Sequence, residues 1–125
     1  MRKRVDLEYI FSSSVNVLFS RLSTATGLSE WFADDVKQKG DKFTFVWDGV
    51  EEHAGLVELK KNAHVMFKWQ DAENEEEYLQ FALHIEPLTG ELALIITDFV
   101  DLEEEMDSIE LWNKQVDMLH RVIGA

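Results

Sequence analysis

The chain contains no cysteine, one proline and six glycines in 125 residues. Without cysteine there is no disulfide framework, no thiolate nucleophile and no thiolate metal site. So little proline and glycine, beside 46% apolar residues, excludes a disordered or low-complexity polymer. Positive charge is scarce as well: 12 Lys and Arg stand against 25 Asp and Glu, a formal net charge of −13. Such a field repels phosphate backbones and anionic lipid surfaces, so no nucleic-acid partner is expected. No run approaches the roughly 20 apolar residues that cross a bilayer, so no membrane insertion is expected either. The start Met1-Arg2-Lys3-Arg4 resembles the basic region of an export signal, but Asp6 and Glu8 interrupt the apolar run that should follow. A cytoplasmic location is the expectation. With no linker and no internal repeat, residues 1–125 read as a single domain, burying about two thirds of the unfolded surface.

Signatures of chemistry are missing too. His53, His64, His84 and His120 are too far apart in sequence to share a helical turn, and there is no H-E-x-x-H. No serine lies in a G-x-S-x-G context, and no glycine-rich loop is present to cradle a phosphate. We therefore nominate no catalytic residue, no metal ligand and no cofactor. The carboxylates cluster at Glu73, Glu75-Glu76-Glu77 and Glu103 to Asp107. These read first as a solvated hairpin loop and a helix start, where acidic side chains suit the macrodipole.

What is present is pattern. From Arg4 to Phe11, Val5, Leu7, Tyr9 and Phe11 alternate with Arg4, Asp6 and Glu8, as in a half-buried strand. Ser12-Ser13-Ser14 offers hydroxyl caps to a helix carrying Val15, Leu18, Phe19 and Leu22 at helical spacing. Thr26-Gly27 reads as its break, and Leu28 to Phe32 as a second short helical turn. Phe43, Phe45 and Trp47 share one face of a strand that ends in the hairpin signal Asp48-Gly49. The next strand sets His53, Gly55, Val57 and Leu59 on one side, read as inward. Val65, Phe67 and Trp69 share a face; Leu79, Phe81, Leu83 and Ile85 alternate; Leu92 to Phe99 is apolar on both faces, as a central strand should be. Ile109, Trp112, Val116, Leu119 and Ile123 form one stripe on a long final helix that Gly124 stops. Strand, two short helices, about six more strands and a long helix predict an α+β fold: a curved antiparallel sheet wrapped around the C-terminal helix.

That order of elements, the Trp31-Phe32 pair after the first helix, Gly40 opening Phe43-Thr44-Phe45, Gly55-Leu56-Val57 before Val65-Met66-Phe67-Lys68-Trp69, and Trp112 in the last helix resemble the START-like helix-grip superfamily. Within it they are most similar to the branch named for activator homologues of the heat-shock chaperone ATPase. The likeness runs from Val5 to Gly124. Two features depart from the pattern: Ser12 to Ser14 replace the usual proline before the first helix, and Glu103 to Asp107 make an unusually acidic approach to the last one. The resemblance implies a sheet, of about six to seven strands in all, gripping a helix over a pocket. In relatives that pocket holds sterols, lipids, polyketides or plant hormones, or is closed. A few relatives are cyclases or aromatases, and some bind the chaperone.

On this fold the candidate ligand-binding residues are Trp31, Phe45, Trp47, His53, Val57, Phe67, Trp69, Phe81, Trp112 and Val116. Their faces converge, and His53 is the one polar group among them suited to orient a ligand. The same aromatics also suffice to pack the sheet–helix gap completely, and sequence leaves both outcomes open. Three functions follow, in order of preference. The first is non-catalytic binding of a small, mostly apolar ligand between sheet and helix. The second is a protein-interaction or co-chaperone-like module with a closed core and acidic patches that steer a basic partner. The third is a cyclase- or aromatase-type enzyme.

Overall fold

A computed structural model describes residues 1–125. Strand β1 (Arg2–Phe11) is followed by helices α1 (Val15–Ser23) and α2 (Ala25–Leu28). Strands β2 (Asp35–Lys39), β3 (Lys42–Trp47), β4 (Val50–Lys60), β5 (His64–Trp69), β6 (Leu79–Ile85) and β7 (Leu92–Asp101) come next, and a short 3-10 turn leads into α3 (Glu105–Ile123). The seven strands form one antiparallel sheet in the order β1-β7-β6-β5-β4-β3-β2. This is the expected α+β helix-grip architecture, with β7 interior to the sheet as its two-sided apolar pattern predicted. No helix is long and apolar enough to cross a membrane.

Local chemistry explains most boundaries. Ser14 caps α1 by accepting from the Val17 N–H at 3.2 Å, supplying one of the partners that a first helical turn lacks. Asp48 and Gly49 both take positive φ, 52° and 81°, as a two-residue hairpin with the sheet's own twist requires. Gly124 ends α3 in the left-handed region at φ 80°.

Three sequence expectations are corrected. The first helix ends at Ser23 rather than at Gly27, because Thr24 Oγ1 accepts from Gly27 N at 3.0 Å and caps a new helix. Gly27 therefore lies inside α2, and the segment Ser29 to Phe32 is turn rather than helix. Strand β2 had no apolar signature because only Val36 of its five residues is buried.

The third correction concerns β4. The tight hairpin pairs Trp47 with Val50, Phe45 with Glu52 and Phe43 with Ala54, and directly opposed residues share a face. Glu52, Ala54 and Leu56 thus lie on the concave side, while His53 opposes Thr44 on the outer side. Between Leu56 and Glu58 the register with β5 shifts, so Val57 is the extra residue of a bulge. His53 and Val57 are both exposed, and His53 Nδ1 is 3.0 Å from Thr44 Oγ1. A one-residue error in register moves a whole strand's side chains to the opposite face.

The concave face is covered by more than the last helix. Trp112, Val116 and Leu119 of α3 are buried against it, and so are Leu18 and Leu22 of α1 and the Leu28–Trp31–Phe32 segment. Three contacts between side chains join α3 to the edge strand β1: Lys3 pairs with Glu105 at 2.8 Å, Tyr9 Oη donates to Asn113 Oδ1 at 2.7 Å, and the rings of Phe11 and His120 stack.

Candidate functional site

The centre of the sheet–helix space is filled by side chains. Phe32 is the plug. Its ring lies 5.6 Å from Trp112 in a stacked arrangement and meets Phe45, Trp47 and Phe81 edge-on at 5.2, 5.2 and 5.8 Å. Trp31 packs on Phe81 at 5.5 Å, and its indole N–H donates to the Arg21 carbonyl at 2.8 Å. Edge-to-face and offset contacts at these separations are the favoured aromatic geometries. Trp31, Phe45, Phe67, Phe81, Trp112 and Val116 are thus brought together, as core. The packed interior left open in the sequence reading is what occupies this region.

Open space begins at one end of the concave face, where Trp47 and Trp69 are only half-buried. One groove of about 410 Å³ runs between Phe32 and Trp47 on the sheet side and Leu111, Trp112 and Gln115 of α3. Its floor is fixed by two donors to a single acceptor. Trp47 Nε1 and Gln115 Nε2 both bond the Phe32 carbonyl, at 2.8 and 2.9 Å. A second, polar opening of about 280 Å³ adjoins it and shares Trp47 and Glu52. Among its walls are Trp69, Glu77, Asp98 and Arg2.

Glu52 lines both openings and was not nominated from the sequence, and neither were Phe32, Leu111 and Gln115. The signal was available: counting back across the two-residue Asp48-Gly49 turn from Trp47 puts Glu52 inward. Arg2 and Asp98 were also missed. Arg2 Nε and Nη2 form a two-pronged pair with the buried Glu77 carboxylate at 3.0 and 2.8 Å. Nη2 further donates to the Phe99 carbonyl at 2.9 Å. This pairing removes Glu77 from the exposed acidic loop to which the sequence assigned it. The hydrogen bonds and the negative charge of Glu77 raise the Arg2 pKa.

Asp98 faces α3 from β7, accepting from Trp112 Nε1 at 3.0 Å and from the Phe99 N–H at 2.8 Å. Burial pushes its carboxyl above the usual carboxylate range, against the lowering effect of the Trp112 and Phe99 bonds and of Arg2. A raised folded-state pKa means that the native protein holds this proton more tightly than the unfolded chain. The associated stability is complete below the unfolded value near 3.8 and is lost as pH rises through the higher folded value. In thermal melts, the wild type should therefore gain stability relative to Asp98→Asn on acidification from neutral pH toward pH ~4. A difference independent of pH across that range would contradict the desolvated carboxyl.

The histidines lie apart from this site. His53 is on the outer sheet face, His64 Nε2 contacts Glu58 Oε1 at 2.5 Å, and His120 stacks on Phe11 with centroids 3.9 Å apart.

A sheet wrapped on a C-terminal helix, with an aromatic interior opening at one end, defines a class, and comparison with known proteins identifies it. The chain belongs to the START-like superfamily, whose domain model matches residues 1–125. The solution structure of BfR322 from Bacteroides fragilis is 38% identical, with a TM-score of 0.67, and the match covers 97% of this chain and 90% of that one. The Aha1 dimer from Colwellia psychrerythraea shares the fold at 16% identity and a TM-score of 0.78, covering 97% and 96% of the two chains. DynU16, described as a putative protein in the dynemicin biosynthetic locus, shares it at 14% identity and a TM-score of 0.80, covering 98% of this chain and 47% of that one. No match is found among curated proteins.

Proposed function

We propose that the protein binds a small, mostly apolar ligand without chemistry of its own. The site is the open groove between Trp47 and α3, not the filled interior. The observation that supports this reading is the groove's wall: Phe32, Trp47, Leu111 and Trp112 are four of the six residues that enclose a volume of about 410 Å³, within the usual range of small-molecule sites. Leu111 is 58% exposed and Trp47 half-exposed, so a ligand there removes apolar surface from water at about 25 cal/mol per Å². Gln115 and Glu52 supply the polar edge that orients it.

The test is a panel of neutral, anionic and cationic aromatic compounds, followed by tryptophan fluorescence and thermal shift. Saturable emission changes with a rise in melting temperature are expected for at least one compound. Leu111→Glu, a change at an exposed helix position, should weaken that binding by about tenfold or more while leaving the unliganded melt within a few degrees. If no compound of any charge binds, the proposal fails.

The second reading is an interaction module that docks a basic protein. It draws support from the exposed acidic side chains Glu73, Glu75 and Glu76 and Glu103, Glu104 and Asp107. Under that reading association slows steeply with salt and is indifferent to Leu111→Glu.

A further inference from the structure

We propose that the ligand carries a cationic amine, seated beside Glu52 where Trp47 and Trp69 meet, with its apolar body in the groove along α3. The inference rests on the groove assignment above and adds the ligand's charge.

Glu52 occupies the junction of the openings at this end of the molecule. It lines the apolar groove, the polar opening beside it and a third of about 250 Å³ bounded by Trp69, Asp71 and Glu73. The Phe45 pairing puts it on the concave face, yet its carboxylate makes no hydrogen bond and no ion pair within the protein. Of the other charges on these walls, Arg2, Glu77, Asp98 and Asp101 are paired, whereas the unpaired Glu104, Asp71 and Glu73 each border one of the three openings rather than their junction. Arg2 is the single cation on these walls, and it is held by Glu77, by the Phe99 carbonyl and, at 3.5 Å, by Asp101. Asp98 is bonded by Trp112 and Phe99. A free carboxylate at the meeting point of three openings is the natural counter-ion for an incoming positive group.

The aromatic side is built for the same charge. The Trp47 and Trp69 rings lie 6.1 Å apart, tilted by 52°, and both are half-buried. Trp47 is further fixed by its bond to the Phe32 carbonyl and by packing on Phe45 at 5.8 Å. Tryptophan is the strongest of the aromatic partners for an ammonium group, and partial desolvation increases the attraction. Preorganised rings also lose little entropy on binding. An anionic ligand meets the reverse situation. Glu52, Glu77, Asp98, Asp101 and Glu104 all border the polar opening, so a carboxylate head would face like charges with the one guanidinium already paired. Charge at this mouth thus discriminates as well as attracts.

The experiment compares three probes of one shape: 2-(1-naphthyl)ethylammonium, the uncharged 2-(1-naphthyl)ethanol and the anionic 3-(1-naphthyl)propanoate. Affinity is read by calorimetry, and location by the indole N–H resonances of Trp47 and Trp69. The ammonium compound should bind at least about tenfold more tightly than the alcohol and the propanoate most weakly. Glu52→Gln should remove most of that preference, lowering the ammonium compound's affinity far more than the alcohol's. Trp69→Leu should weaken the ammonium compound more than the alcohol. Glu8→Gln, an exposed carboxylate on β1, controls for the general negative field. If Glu8→Gln and Glu52→Gln lower ammonium binding equally, the attraction is diffuse and the inference is overturned. Equal affinity for ammonium and alcohol overturns it as well, while leaving the apolar groove intact as a binding site. Failure of all three probes would remove both.

Discussion

Trp112→Ala should lower stability by about 3–5 kcal/mol, a drop of roughly 10–20 °C in melting temperature for a domain of this size. Three losses coincide at this position. The indole is 6% exposed and fills space between α3 and the sheet, so truncation leaves a cavity that the surrounding rings cannot close. Phe32 loses its stacked partner at 5.6 Å, and Phe81 loses an edge contact at 6.0 Å. Asp98 loses the Nε1 donor at 3.0 Å, leaving a desolvated carboxyl with the Phe99 N–H as its remaining bond. Leu111→Ala, one residue away but 58% exposed, should change stability by no more than about 0.5 kcal/mol. Denaturant unfolding of the two variants separates a helix that is anchored through one face from one that rests loosely on the sheet. Equal effects would contradict the anchoring.

The fold was legible because its signals are periodic and redundant. The α3 stripe, the alternation in β1, β3, β5 and β6, and the Asp48-Gly49 turn each follow from side-chain spacing that survives any local error. The site was less legible, for two physical reasons. First, side-chain direction in β4 depends on register, and register is set by pairing rather than by composition. Apolar Val57 and Leu59 suggested one face, whereas the hairpin from Trp47 imposes the other and the bulge at Val57 resets it. His53 and Val57 left the site by this route, and Glu52 entered it. Second, whether a gap between sheet and helix is open or filled depends on loop conformation. Trp31 and Phe32 were visible as a pair at the end of a helical stretch. That Phe32 drops between Phe45, Phe81 and Trp112 follows from the turn at Ser29 to Phe32, which no periodicity encodes. Long-range partners such as Arg2 and Glu77, 75 residues apart, leave no local trace at all.

Gly27→Ala should be among the most disruptive single-methyl changes in the protein, costing about 3 kcal/mol or somewhat more and about 10 °C in melting temperature. The reason is contact, not conformation, since the residue does not occupy the left-handed region. A Cβ at this position would lie 2.2 Å from the Ser20 carbonyl oxygen and 2.6 Å from the Arg21 Cα. Both are backbone atoms at the end of α1 and have no rotamer by which to yield. Relief requires α2 to move away from α1, and the displacement does not stop there. Trp31 is tied to the Arg21 carbonyl at 2.8 Å, and Phe32 follows it into the aromatic plug beside Trp47 and Trp112. The substitution should therefore also shift the indole N–H resonances of Trp31 and Trp47 and weaken any ligand held in the groove. Gly55→Ala provides the contrast. No atom lies within 4 Å of its Cβ position and its φ is not left-handed, so the methyl should be neutral or slightly stabilising by restricting the unfolded chain. A Gly27→Ala protein with wild-type melting and unmoved Trp31 and Trp47 signals would show that α1 and α2 do not set the position of the groove wall.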